Sequence, residues 1–529
     1  MDFLSHSLAI VGLLALIVLY KCRRNRANFK KSKSIGAPSP SGEWPLIGHL
    51  PLLGGKLPVA RTLEAMAEKY GPVYSLRLGS HQAVVVSSWE AVKECFTIND
   101  KIFATRPSLA VGKYLGYDHA VFALAPYGPY WRDVRKMVTM ELFTSQRLEK
   151  LKHVHSSELD SCMKDLYLLC LKNGDHPTKV AMNNWFEHVT FNISIRMLVG
   201  KRFSTSTCGD RDSNTERFKE AIKRGLYLSG FFVLSDAIPW LEWMDFGRYL
   251  KAMKQTGMEI DSVIANWLEE HIEKRRKGDT GGEEDFMDVM LSTLAEGTIL
   301  SGHSRETIIK ATTMILISAG SEATGETLIW ALSLLLNNRH VLKRAQEELD
   351  VHIRREKWVE ESDIQNLTYL QAIVKETLRL YPPGPLAGPR QALEDCYING
   401  YYVPKGTCLI VNLLKLHKDK RVWTDPYQFQ PERFLTTHAN VNFKGQHYEY
   451  IPFSTGRRMC PGLTFGSQVV HLTLARVLQG FDITTPMNKP VDMREGSGLA
   501  MPKISPLEVI LTPRLPPELY QNLETLASI

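Results

Sequence analysis

Along most of this chain the apolar residues recur every three to four positions, and the elements they predict are helical. The stretches 89–98, 145–171, 215–227, 249–277 and 340–352 carry charge on one side and apolar residues on the other. The run 308–336 is apolar nearly all round, which predicts one buried helix about 45 Å long at 1.5 Å per residue. Shorter runs at 73–78 and 83–87 read as strands of a hairpin joined through Gly79 and Ser80, and a second strand-rich patch covers 397–403 and 408–412. The polar, glycine-containing stretch 278–284 reads as a surface loop. Together these predict a mainly α class with small β-sheets.

The N-terminus breaks the amphipathic pattern. Residues 3–20 are nearly all apolar, and Lys21, Arg23, Arg24, Arg26, Lys30, Lys31 and Lys33 follow at once. A cleaved signal peptide carries its positive charge before the apolar run, so this order predicts an uncleaved anchor, a single N-terminal transmembrane helix. Its length suits the thinner bilayer of the endoplasmic reticulum. Positive charge on the cytosolic side then puts the N-terminus in the lumen and the body in the cytosol. The prolines and glycine of 37–48 favour a semi-rigid extended arm. The expected organisation is 1–20 anchor, 21–48 basic juxtamembrane segment and proline-rich hinge, and 49–529 one catalytic domain. Length alone suggests several domains, but no linker, repeat or low-complexity run divides the body.

Composition narrows the chemistry. The formal charge of +7 owes much to the juxtamembrane cluster, whose natural partner is anionic membrane lipid; nothing beyond net charge supports a nucleic-acid partner. Eight scattered cysteines without a C-x-x-C pair argue against a disulfide framework or a zinc site.

One cysteine stands apart. Phe453-Ser454-Thr455-Gly456-Arg457-Arg458-Met459-Cys460-Pro461-Gly462 sets Cys460 in a glycine-flanked loop ahead of a helix-like apolar pattern. Phe-x-x-Gly-x-Arg-x-Cys-x-Gly resembles, at every fixed position, the haem-binding loop of the haem-thiolate monooxygenases, the cytochrome P-450 family. That resemblance implies the family's fold and a haem b (iron protoporphyrin IX) whose iron is ligated by Cys460, with Phe453, Gly456, Arg458 and Gly462 as cofactor-binding residues. A thiolate is the electron-rich ligand that dioxygen cleavage needs, and loop N–H groups are expected to face the sulfur. Gly456 and Gly462 are expected to permit a tight turn and close approach, and Arg458 to pair with a haem propionate.

Distant motifs agree. Glu376 and Arg379 share a helix face, which alone reads as a surface ion pair. Beside Pro431-Glu432-Arg433-Phe434 they resemble the family's buried Glu–Arg–Arg network. Trp131 and Arg135, on a helix starting after Pro129, match the Trp-x-x-x-Arg motif directed at the propionates; alone they read as a buried Trp and a solvated Arg. Arg390 takes the place of another propionate-binding arginine. The proline arm resembles the hinge of microsomal members.

The long apolar helix carries the departure. Ala319-Gly320-Ser321-Glu322-Ala323-Thr324 keeps the family's small-Gly pair and acid, but Ala323 stands where the first threonine belongs. Thr324 lies one residue on, about 100° around the axis. In one reading Glu322 and Thr324, with bound water, still relay protons. In another the protein is a reductase-independent isomerase or dehydratase of hydroperoxides; a non-catalytic haem sensor is a third class. The retained haem loop and the anchor favour the monooxygenase.

Longer segments, among them 125–132, 380–385 and 446–453, resemble plant microsomal members, most of all plant family 82. The resemblance implies a small lipophilic substrate, expected to be a phenylpropanoid-derived flavonoid or lignan that is hydroxylated; terpenoid or alkaloid oxidation is the alternative. No nicotinamide-binding glycine motif sits in a strand–turn–helix context. NADPH electrons are therefore expected through a separate NADPH–cytochrome P-450 reductase at the endoplasmic reticulum membrane.

Overall fold

The computed structural model describes residues 35–524 apart from 56, 173, 175–177, 204–212, 231 and 279–283, with positions 12, 15 and 19 ahead of them. The expected anchor and the basic cluster to residue 33 thus lie outside the described residues, save Gly12, Ala15 and Leu19. Among the described residues no helix is long and apolar enough to cross a membrane. The arm from residue 35 is tied to the body. Tyr402 N–H donates to the Ile35 carbonyl at 2.9 Å and Ser75 N–H to the Pro38 carbonyl at 2.7 Å.

Helices dominate, and those that frame the site are numbered here in chain order: α1 Pro129–Glu141, α2 Lys152–Lys172, α3 Met182–Val199, α4 Ser213–Ser229, α5 Tyr249–Arg276, α6 Arg305–Asn337, α7 Thr368–Leu380 and α8 Leu463–Gly480. Proline at its first position sets the start of α1, where no N–H partner is needed. The Ser304 side chain caps α6 by accepting from Thr307 N–H at 3.3 Å. α6 runs through the whole body. Its N-terminal half packs with α1, α4 and α5 in one apolar core, and its C-terminal half with α2, α7 and α8 in another. A helix sandwiched on all sides has no solvent face to mark, which is why 308–336 lacks polar periodicity.

The larger sheet has the order Val73–Leu78 (β1), His81–Val86 (β2), Cys408–Val411, Arg390–Gln391, with β2 and Cys408–Val411 parallel and the other pairs antiparallel. Strand β2 starts two residues before expected because Gly79, at φ +64°, closes a two-residue turn. The stretch 397–403 is itself a hairpin, Cys396–Ile398 with Tyr401–Val403. The single helix expected over 145–171 is two, Ser145–Lys150 and α2. Leu151, at ψ 0°, leaves the helical path between them. Of the loop expected at 278–284, Gly278 ends a turn and 279–283 lie outside the described residues.

Candidate active site

The cysteine loop is shaped by one glycine. Gly456 has φ +70°, and a Cβ there would lie 2.3 Å from Asp100 Oδ1, so both conformation and space require glycine. Asp100 in turn accepts from Arg457 N–H at 3.1 Å and from the Arg457 guanidinium. Cys460 N–H closes the loop onto the Phe453 carbonyl at 3.0 Å. Gly462 differs from expectation. Its φ is −87° and an added Cβ would make only ordinary contact, 3.5 Å from Phe143. Its backbone N–H, rather than its missing side chain, is what matters, because it favours the negative form of the Cys460 sulfur. Cys460 exposes one face to a cavity and is surrounded by protein elsewhere, so burial pushes its thiol up while the Gly462 N–H and Arg135 pull it down.

That cavity encloses about 1060 Å³ of atom-free space, part of it open to solvent. Cys460, Phe453 and Gly462 line it from the loop, Phe465 and Gly466 from α8, and Trp131 and Arg135 from α1. On α6 it meets Ile315, Leu316, Ala319, Gly320, Ala323 and Thr324, a recurrence that selects one face of the helix. Gly320 also lets α6 approach α3, since a Cβ there would lie 3.3 Å from Ser194 Oγ.

Guanidinium groups converge on the same space. Arg458 is buried and donates to the carbonyls of Ala104, Phe122 and Ala125 at 2.7, 3.1 and 2.6 Å, with its guanidinium 4.4 Å from the Trp131 ring centre. Arg135 donates to the Met459 carbonyl at 2.5 Å. Arg106, which no spacing in the sequence marks, also lines the cavity and donates to the carbonyls of Ala123, Gly388 and Pro389. Its only sequence cue is a lone arginine before Pro107 in an aperiodic stretch. Burial and the positive neighbours Arg106, Arg390 and Arg135 push Arg458 down to about 8. A guanidinium stays charged in proteins, so this direction registers an unmet demand for negative charge.

Arg390 sits apart from the cavity wall. It is buried, donates to Ser454 Oγ at 2.9 Å and the Thr455 carbonyl at 3.1 Å, and leaves Nε and Nη1 without a hydrogen-bond partner. It therefore holds the cysteine loop from behind.

α6 separates the two residues expected to move protons. Thr324 lines the cysteine cavity beside Ala323, whereas Glu322 lines a second cavity on the opposite side of the helix. Burial, then Glu187, raises the Glu322 carboxyl above its ordinary value. The Glu–Arg–Arg group is assembled and buried. Glu376 accepts from Arg379 at 2.7 and 2.8 Å and from Arg433 at 3.1 Å, and Arg379 also donates to the carbonyls of His417 and Pro426.

Comparison with known proteins gives a consistent answer. A family model described as Cytochrome P450 matches residues 38–509. The chain is 49% identical to a xanthotoxin 5-hydroxylase of Arabidopsis thaliana over 505 residues, 93% of this chain and 96% of that protein. It is 46% identical to a flavonoid-6-hydroxylase of Ocimum basilicum, covering 99% of each chain, and 46% identical to a nicotine N-demethylase of Nicotiana tomentosiformis, covering 97% and 99%. A zebra fish cytochrome P450 structure with progesterone aligns with TM-score 0.71 and 25% identity over 87% of this chain and all of that one.

Proposed function

The chain belongs to the cytochrome P450 family, allied to plant family 82, and from that premise we propose that it hydroxylates a neutral, phenylpropanoid-derived aromatic compound of the flavonoid or lignan kind. It is a haem-thiolate monooxygenase of plant specialised metabolism, with electrons from NADPH delivered through a reductase. The residues present fit haem: a cysteine faces the cavity, and the guanidiniums of Arg106, Arg135 and Arg458 beside it have no acidic partner among the described residues, which two propionates would supply. When bound, haem supplies an iron that activates dioxygen, and thiolate ligation favours cleavage of its O–O bond.

The protein's own residues have distinct tasks in this reading. Cys460 would ligate the iron, and the Gly462 N–H would steady the negative sulfur. Arg106, Arg135, Arg458 and Trp131 bind and orient the propionate edge, and Arg390 with Gly456 fixes the loop that carries the cysteine. Phe453 closes the cavity beside the sulfur. Thr324 holds a proton or water inside the cavity, and Glu322 supplies protons from across α6.

One observation carries the substrate class. Apart from the guanidiniums, the described lining offers the hydroxyls of Ser194 and Thr324, the Trp131 indole N–H, the Cys460 and Met197 sulfurs and apolar or backbone groups, and none of the lining residues described is a carboxylate. A protonated amine would find no counter-ion there, whereas a neutral aromatic molecule matches Phe122 and the apolar α6 residues Ile315, Leu316 and Ala319. The flavonoid-6-hydroxylase and xanthotoxin 5-hydroxylase relatives support ring hydroxylation. We further place residues 1–20 in the endoplasmic reticulum membrane as a single-pass anchor with the catalytic domain toward the cytosol, where NADPH–cytochrome P-450 reductase docks.

The test is a substrate panel. Microsomes containing the full chain and a plant reductase are fed flavones, lignans, terpenoids and alkaloids, and products are read by mass spectrometry. A flavone or lignan gaining one oxygen, dependent on NADPH and absent with Cys460→Ala, is the expected result. Turnover confined to amines would overturn the substrate class.

A further inference from the structure

Behind α6, on the side away from Cys460, lies a cavity with about 350 Å³ of atom-free space, part of it open to solvent. It gathers Glu322 and Glu326 from α6, Glu187 from α3 and Lys219 and Lys223 from α4. Glu326 is its unusual member. The residue is 7% exposed, and its Oε2 is buried without a hydrogen-bond partner. It follows Glu322 by four residues, so the two carboxyl groups lie one above the other on a single helix face. Gly325, between them along this face, brings α3 close, since a Cβ there would lie 3.4 Å from Thr190 Oγ1.

Charges of both signs surround this pair, with Lys219 and Lys223 of α4 lining the same cavity. Glu187 adds a third carboxylate from α3 but is itself paired with Lys223 of α4. Lys503 acts on Glu326 from outside the cavity. Two neighbouring carboxyls in a poorly solvated site cannot both ionise, and the ordinary outcome is a shared proton. Burial first, then Glu322 and Glu187, pushes Glu326 up to about 8, while Lys223 and Lys503 pull it down. The same helix has Ala323, not a hydroxyl residue, at the position beside Glu322 that faces the cysteine cavity.

We propose that Glu326 is a positioning residue for proton delivery: its carboxyl stores a proton next to Glu322 and hands it on through Glu322 to the Cys460 cavity. The inference rests on the monooxygenase reading above. Rotation of the Glu322 side chain, or one water, carries the proton past Ala323 toward Thr324. Glu322 then takes the Glu326 proton, and Glu326 regains one from solvent at the Lys219–Lys223 mouth. Each hydroxylation consumes two protons and two NADPH electrons, so the pair cycles twice and returns to its starting charge.

The experiment uses the full-length, haem-loaded chain in membranes with its reductase, as wild type, Glu326→Gln and Glu326→Asp. Without turnover, infrared spectroscopy of the wild type should show a protonated-carboxyl band that shifts in heavy water, disappears as pH rises through about 8, and is missing in Glu326→Gln. Stability should agree. An acid raised in the folded state binds protons that the unfolded chain releases, so wild type loses stability with rising pH between its unfolded and folded values. Its melting temperature should therefore fall relative to Glu326→Gln across that window. With turnover, Glu326→Gln should lose product per NADPH by about tenfold with KM nearly unchanged, and Glu326→Asp should recover most of it.

A wild type lacking the band, or one whose melting temperature tracks Glu326→Gln at every pH, overturns the stored proton. A band present with unchanged coupling in Glu326→Gln overturns its delivery. If no substrate yields an NADPH-dependent product although the band titrates as expected, the monooxygenase reading fails and the delivery role fails with it. Should Glu326→Gln not fold, the wild-type band and its shifted midpoint in Glu326→Asp decide the matter.

Discussion

At Gly456 the backbone and a neighbouring side chain make the same demand. A residue with a Cβ would be held at φ +70° and pressed to 2.3 Å from Asp100 Oδ1. Left-handed backbone costs an ordinary residue about 1–2 kcal/mol before any clash. Gly456→Ala should therefore lower both thermal stability and the fraction of protein that retains haem, read from the Soret absorbance per chain. Unchanged haem content would show that the loop has slack the geometry does not reveal. At Ala323 the question is proton supply. Its methyl lines the cavity beside Thr324, so Ala323→Thr should add a hydroxyl there and raise product formed per NADPH. Unchanged or poorer coupling would remove the alcohol from the account. These residues were legible in the sequence because a motif of fixed spacing contains them. Arg106 was not, because it acts through folding of an aperiodic stretch. Gly462 was legible as a position, but its part is played by an N–H that every residue type except proline carries.

Among elements, α6 explains most of what the pattern could and could not reveal. Apolar residues all round announced a buried helix, but the same uniformity hid which face each polar residue takes. Glu322 and Thr324 are two positions apart, about 200° of rotation, and they face different cavities. The periodicity of 145–171 likewise ran smoothly through Leu151, where the backbone turns out of the helix. α7 shows the reverse case, in which a weak local signal became a firm structural feature. Glu376, Arg379 and Arg433 are all buried, and each guanidinium leans on the one carboxylate. Removing one partner of such a group leaves uncompensated buried charge and typically costs about 3–5 kcal/mol. Glu376→Ala should thus lose most folded, haem-containing protein, measured as a drop in melting temperature and in haem yield. A loss under about 1 kcal/mol would mean that backbone carbonyls alone satisfy both arginines.

At the scale of the molecule, the site exists only after distant segments meet. Arg106 precedes the first framing helix, Arg135 lies on α1, Arg390 on a short strand and Arg458 in the cysteine loop, yet three of them face one cavity and the fourth braces the loop. Among the described residues Arg390 has Asp100 beside it, whereas Arg106, Arg135 and Arg458 have no acidic partner, and their clustering opposes folding unless an anionic group binds. The haem site and the fold are therefore coupled, and binding stabilises the native state by mass action. α6 then divides the interior in two, with the cysteine cavity on one side and a carboxylate cavity on the other. The arrangement suits a reaction that needs protons from solvent and an apolar place for its substrate.

As a P450 monooxygenase, the protein should place one atom of dioxygen in its substrate at the Cys460 cavity at the expense of NADPH. Turnover under isotope-labelled dioxygen, with full-length chain, reductase and a panel substrate, tests it most directly. Product should carry the label, form only with NADPH and be absent with Cys460→Ala. A supplied hydroperoxide rearranged or dehydrated without NADPH or reductase, with no labelled product, would contradict it and make Ala323 the mark of an isomerase or dehydratase.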